Sequence, residues 1–471
     1  MFLTPSANAD FLIVGILALI IGHSFYIYSQ GRWFLFDPIN AFWGGVLIVY
    51  VEQPTSHAVT FIGWNGESAF VATLGWILFG LVWVVVGYEL PLGDKLGRKI
   101  PAMPGTLKPG RIVLAAWILI VLGLLAYAHD FSTAGGAANW LSVGRGGTNY
   151  EQASLYIIQL ESLLPVGVGL LVFWVEWDRT AKFLRLIAWG LGILMWWWFL
   201  YLGTRSRVIG FALLLLGAWY LPRRKNPSTL FLIPLFFALL LISNFQANYR
   251  WQFTDLSFHL EEIDWEEAKE RCLPGWLLGR SRDNKVDPSR GIEFNCVTSV
   301  VKLVPEDVPY NYGLGHLEVL TRPIPRSIWP TKRWPHLESV QGVLREAELS
   351  DSMGGASELL AGPSFTFAGH WYYAGGPVGL FLGGLLTGVI FRAIRAIRER
   401  DTKNIGDLLL YSQLLLIGFN EAAATPLYWL TILPFTVIPL LALLYFCREH
   451  SHVVPGRIRR PPAHFSSSAN S

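Results

Sequence analysis

Long apolar runs constrain this chain more than any other feature. A helix needs roughly 20 consecutive apolar residues to cross about 30 Å of hydrocarbon. Runs that approach or reach this length fall at about 10–29, 36–52, 69–89, 111–129, 154–176, 182–202, 207–221, 229–246, 372–391, 405–420 and 427–447. The second is the weakest, because Asp37-Pro38 interrupts its start, and the seventh is short. With 52% hydrophobic and only 15% charged residues, the expected fold is an all-α polytopic membrane protein of about eleven transmembrane helices. The 21 tryptophans suit the two membrane–water interfaces. The opening "MFLTPSANAD" has no basic flank, so the first run reads as a retained span and not as a cleaved signal.

Lys and Arg in short loops set the orientation of such a protein. The segments 90–111, 177–185, 222–228, 392–404 and 448–471 are all basic, and eleven alternating spans place them on one side. Loops 53–68 and 421–426 on the other side carry no Lys or Arg, and loop 130–153 carries only Arg145. The N-terminus is therefore expected outside and the basic tail 448–471 in the cytoplasm. The chain divides into spans one to eight (1–246), one large extracytoplasmic loop (247–371), spans nine to eleven (372–447) and the tail. A long loop crosses largely regardless of its charge, so the 13 Lys and Arg residues of 247–371 do not oppose this arrangement.

A net charge of +3 gives no reason to expect nucleic acid. No CxxC, HExxH, GxxxxGK[ST] or DxD pattern occurs, so classical zinc sites, P-loop chemistry and a metal–nucleotide-sugar site have no support in the sequence. Cys272 and Cys296 both lie in the large loop, where an oxidising compartment allows them to pair or to stay as two buried thiols. Cys447 is expected only to pack.

Two outer-face segments depart from the charge bias. "GTRSR" (203–207) puts Arg205 and Arg207 on a minimal turn between two spans. Guanidinium groups there either snorkel to the headgroups or grip a phosphate bidentately. "TRPIPRSIWPTKRWPH" (321–336) holds four prolines with Arg322, Arg326, Lys332 and Arg333. Proline makes it rigid and extended, which either wraps the surface or holds cations in place for a ligand. His370 lies just before the ninth span, in "PSFTFAGHWYYAGGPVG", where packing and catalysis are both open to it. Glu161 inside the fifth span, and Asn420 with Glu421 at the outer end of the tenth, are functional candidates or interhelical hydrogen-bonding groups. "MWWWF" (195–199) reads as lipid-facing or interfacial packing, and "EEIDWEEAKE" (261–270) as a solvated amphipathic helix.

The outer-face "TRPIPRSIWPTKR", followed by "PSFTFAGHWYYAGGPVG" leading into a span, resembles the O-antigen and oligosaccharide repeat-unit polymerases of the Wzy type. The "GTRSR" turn is similar to an arginine turn in such proteins. The motifs cover about a fifth of the chain, and the remainder matches by architecture. Pro325-Arg326, Trp329-Pro330 and Lys332 fall where the family has Pro-Arg, aromatic-Pro and Lys. Arg333 stands where a proline is usual. In the later box Gly369 and Tyr372 match, while His370 replaces the usual glutamate and Ala374 the usual Asn.

The resemblance implies a GT-C-like, metal-independent glycosyltransferase of a bacterial inner membrane, with no cofactor. Donor and acceptor would both be glycans on undecaprenyl pyrophosphate, among membrane lipids, with a chain-length-regulating partner. An O-antigen-ligase-type transferase and a polysaccharide flippase are the alternatives. The chemistry suits the residues, since cleavage of a sugar–pyrophosphate bond builds negative charge that cations must stabilise where no metal does. Arg205, Arg207, Arg322, Arg326, Lys332 and Arg333 are the candidates for that task. His370, His316 and Glu358 are candidates for the base that activates the acceptor hydroxyl.

Overall fold

The computed structural model describes residues 4–133, 160–179, 181–202, 205–223, 292–313, 366–400, 404–423 and 428–449, with scattered positions between them. The described residues form an all-helical bundle. In chain order the helices are α1 (Ala7–Ser29), α2 (Pro38–Val46), α3 (Gln53–Asn65), α4 (Glu67–Glu89), α5 (Pro91–Lys99), α6 (Pro109–Thr133) and α7 (Leu163–Asp178). They continue as α8 (Lys182–Tyr201), α9 (Arg205–Tyr220), α10 (Ile292–Leu303), α11 (Thr366–Arg400), α12 (Ile405–Ala423) and α13 (Tyr428–Phe446). Five of them, α1, α4, α6, α8 and α11, are long and apolar enough to cross a membrane. This is a helical membrane protein. Their positions agree with five of the expected runs, whereas α7 and α9 are only 16 residues each.

Asp37-Pro38 starts a helix and does not interrupt one. The Asp37 side chain accepts a hydrogen bond from the Ile39 amide at 3.3 Å, and Pro38 occupies the first turn, where its missing N–H costs nothing. From there the chain stays helical to Asn65, through a π-helical stretch Leu47–Glu52 and a kink at His57. Much of the expected loop 53–68 is therefore α3. This segment contains no Lys or Arg, so hydropathy and charge gave no sign of its helicity.

Two large apolar cores and a small third one, around Phe36, Ile209, Leu415 and Phe419, fill the described bundle. One large core joins α1 to α4, α10 and α11 as far as Phe391, around Phe42, Phe70, Leu81, Phe294 and Phe367. The other joins α6 to α9, α12 and α13, around Leu119, Leu171, Phe211 and Tyr411. Helix α12 serves both, because Ala422 belongs to the first core and Leu408 to the second. Close backbone approaches fix the helix pairs, as small residues do in lipid. A Cβ on Gly384 or Gly388 of α11 would strike the backbone of α4, and one on Gly45 of α2 would strike Ala422.

The basic segments meet at one end of the bundle. There the Lys108 amide donates to the Cys447 carbonyl at 2.9 Å, the Met103 amide to Asp407 at 2.9 Å, and Arg395 to the Arg32 carbonyl at 3.0 Å. Arg395 is nearly sealed at 2% exposure, donates to the Tyr88 hydroxyl at 2.7 Å and lies 3.3 Å from Asp37. Tyr88 in turn donates to Asp37 at 2.8 Å, which closes a three-membered clasp between α2, α4 and α11. A second clasp gathers Arg185, Trp189 and Arg223 on the buried Glu176 carboxylate, tying α7, α8 and α9. Arg392 adds a two-pronged pair to Asp94 of α5 at 2.8 and 2.7 Å. Every charge in these clasps has a partner, which is the condition for keeping it out of water.

Candidate functional site

The opposite end of the bundle holds a different kind of cluster. Asp130 lies in the last turn of α6, Glu161 in the turn just before α7, and Arg207 in the first turn of α9. Glu161 was expected within a run over 154–176; it lies in a turn, and the described helix that follows begins at Leu163. Gly123 explains how two carboxyl groups come together here. A Cβ on Gly123 would sit 2.5 Å from the Leu164 amide nitrogen, so α6 and the start of α7 touch through their backbones. Asp130 lies seven residues on from Gly123, about two turns along the same face. It is carried to the turn that contains Glu161.

Both carboxyl groups are enclosed, Asp130 at 2% and Glu161 at 6% exposure. Asp130 Oδ2 accepts from the Trp140 indole N–H at 2.6 Å. Asp130 Oδ1 and Glu161 Oε1 are buried and receive no donor. Burial pushes the Glu161 carboxyl up to about 8; Arg207 opposes the rise, and Asp130 adds to it. Arg207 itself is exposed. The order from solvent inward is therefore a cation, then a pair of carboxyl groups.

An aromatic wall supports the pair. Trp140 stacks on Trp198 with ring centroids 6.3 Å apart and planes at 11°, and meets Phe131 edge-on at 5.0 Å. Trp198 belongs to "MWWWF"; within that stretch Trp197 is exposed, whereas Trp198 is half-buried in this wall. Asp130 and Trp140 are the members that sequence reasoning missed. The available signal was an acid one residue past the end of the fourth apolar run, in "AHDF".

Of the residues picked from sequence, Arg207 and Glu161 come together here. Arg205 starts α9, but its side chain lies outside the described residues, as do His316, Glu358, Arg322, Arg326, Lys332 and Arg333. His370 is buried in the first part of α11, with Trp371 edge-on to its ring at 5.5 Å. Its helix neighbours Phe367, Ala368, Tyr372 and Tyr373 belong to the first core, while Tyr127, Trp140 and Leu163 around the carboxyl pair belong to the second. Glu421 accepts from Thr387 at 3.2 Å and so links α12 to α11. Cys296 is a free, fully buried thiol of α10, and burial pushes it well above its ordinary range; Cys272 lies outside the described residues. Cys447 packs in the second core, as expected.

Among the described residues no group of three or more His, Cys, Asp or Glu side chains is placed to hold a metal ion. No family model, no curated protein and no solved structure matches the chain.

Proposed function

We propose that this protein is a membrane glycosyltransferase that moves an oligosaccharide from one polyprenyl diphosphate carrier onto another lipid-linked glycan, as a repeat-unit polymerase of the Wzy type does. One observation carries the reading: an exposed arginine overlies a buried carboxyl pair at the end of the bundle remote from the basic segments. In this reading the basic end faces the cytoplasm, in keeping with the positive-inside bias, and Arg207 lies at the outer headgroup plane of a bacterial inner membrane. A departing diphosphate would lie in that plane. Charge-assisted hydrogen bonds from a guanidinium contribute about 1.5–3 kcal/mol each, and more arginines than one are at hand in the sequence. Sugar transfer needs a second element, a group that removes the acceptor proton, and carboxyl groups beside the cation supply that chemistry.

Deletion of the gene followed by a glycan ladder on a gel tests the reading. Loss of long polymer with accumulation of single repeat units supports it. Polymer that accumulates on the carrier points to the ligase-type transferase, and an unchanged ladder removes both. Arg207→Ala is expected to reproduce the deletion ladder at normal protein abundance, and Arg207→Lys to recover only part of the polymer, because lysine lacks the planar fork.

A further inference from the structure

We propose that Asp130 and Glu161 share one proton, and that this pair is the general base that accepts the proton of the attacking sugar hydroxyl. The second half rests on the transferase reading above; the first does not. The argument starts from two oxygen atoms. Asp130 Oδ1 and Glu161 Oε1 are both sealed from solvent and receive no donor from the protein. Carboxylate oxygens only accept, so two of them enclosed together leave acceptors without donors and charges that repel. A proton held between the two groups removes both costs at once. The Trp140 indole donates to the other Asp130 oxygen, Oδ2, so that Oδ1 is left for that proton.

The charged groups that act on Glu161 among the described residues are Arg207 from α9 and Asp130 from α6. Arg207 favours loss of the proton and Asp130 favours its retention, so the pair is poised between them. The raised affinity of Glu161 for its proton, to about 8, keeps the shared proton on the pair near neutral pH, and the carboxylate left ionised is the one that accepts. In the reaction the acceptor O–H proton passes to a carboxyl oxygen of the pair, directly or through one water. The acceptor oxygen forms its bond to the anomeric carbon as the bond from that carbon to the diphosphate oxygen breaks. The electron pair leaves with the diphosphate, opposite Arg207. The pair then returns its extra proton to solvent.

The test uses the full-length protein in lipid nanodiscs, with Glu161→Gln and Asp130→Asn as nearly isosteric variants. The first readout is the infrared band of a protonated carboxyl group. It is expected in the wild type and lost or shifted in each variant; a spectrum indifferent to both substitutions overturns the shared proton. The second readout is turnover of a polyprenyl-diphosphate oligosaccharide against pH. Wild-type turnover is expected to fall as pH rises through about 8, where the pair loses its shared proton and with it the singly protonated working form. Glu161→Gln should lose about 100-fold or more in kcat with little change in KM, and should flatten the profile. Glu161→Asp should restore the slope in part. Glu161→Gln turnover within threefold of wild type, on an unchanged profile, overturns the role as base. A wild type that shows the infrared band but transfers no glycan overturns the transferase reading, and the role as base with it, while the shared proton stands. Thermal unfolding of each variant separates these results from misfolding.

Discussion

Replacing Arg395 by methionine is expected to destabilise the protein severely, and the reason lies in what it leaves behind. Arg395 and Asp37 are both about 2% exposed and 3.3 Å apart. Removing the cation leaves a buried carboxylate with the Tyr88 hydroxyl at 2.8 Å, the Ile39 amide at 3.3 Å and the weaker field of Arg398. Breaking one side of a buried pair costs about 3–5 kcal/mol. The converse change, Asp37→Asn, should cost less, about 1–3 kcal/mol. Asparagine still caps α2, and Arg395 keeps Glu399 at 2.6 Å, Tyr88 and the Arg32 carbonyl. Combining the two removes the stranded charge, so the double variant should be more stable than the sum of the single losses predicts. The assay is a double-mutant cycle, read by denaturant or thermal unfolding in one detergent. Additive losses, or an Arg395→Met cost below about 1 kcal/mol, would refute the view that the clasp is a coupled buried pair.

Three further expectations follow from other parts of the molecule. Gly388→Ala forces a Cβ against the Val84 and Tyr88 backbone, and about 1–3 kcal/mol should be lost, while Gly22→Ala, with open space around it, should be near neutral; thermal melts compare them. Cys296, sealed and with its thiolate disfavoured by burial, should resist a maleimide reagent in the native protein and react after denaturation. Fast native labelling would show that α10 does not pack as described. Burial raises the Glu161 carboxyl above its ordinary 4.5, so the folded state binds this proton more tightly than the unfolded chain. The stability that this group contributes is then full below about 4.5 and lost as pH rises through about 8, and Glu161→Gln should remove that part of the slope.

The apolar runs foretold α1, α4, α6, α8 and the shaft of α11, because a membrane span needs little more than length and hydropathy to be recognised. The described parts of the basic segments 90–111 and 392–404 do meet, at Asp94 with Arg392 and, just past the second segment, at Met103 with Asp407, as a shared side for these segments requires. Local grammar misled in one place. Asp-Pro reads as a break when it sits inside a presumed span, yet the same pair is a cap and a first-turn proline when the helix begins there. Glu161 reads as one acid among apolar residues; that it sits in a turn beside Asp130 depends on the close approach of α7 to Gly123, which no local pattern announces. Asp130 and Trp140 were invisible for a related reason. Their partners lie on separate elements or across a turn, and no spacing rule links an acid at one helix end to a glutamate some thirty residues later. Hydropathy likewise does not tell a tryptophan that faces lipid from Trp198, which backs a carboxyl pair.

Helix α11 is bolted at its basic end by Arg392 and Arg395, but its helical conformation breaks at Gly375 and Gly376, just before Pro377. Gly376 adopts φ +59°, and a side chain there would meet the Tyr310 hydroxyl, so the joint is built into the sequence. The piece above it is moored sideways, by Tyr50 to Thr366 at 2.7 Å and to the Ala368 amide at 3.0 Å, and by the Asn311 amide to the Tyr373 carbonyl at 3.1 Å. A pull on the chain that enters at Thr366 is therefore borne by Tyr50 and Asn311, and the shaft below is insulated from it. The joint lets the piece that carries Thr366 take its direction from Tyr50 and Asn311 while the shaft takes its own from Arg392 and Arg395.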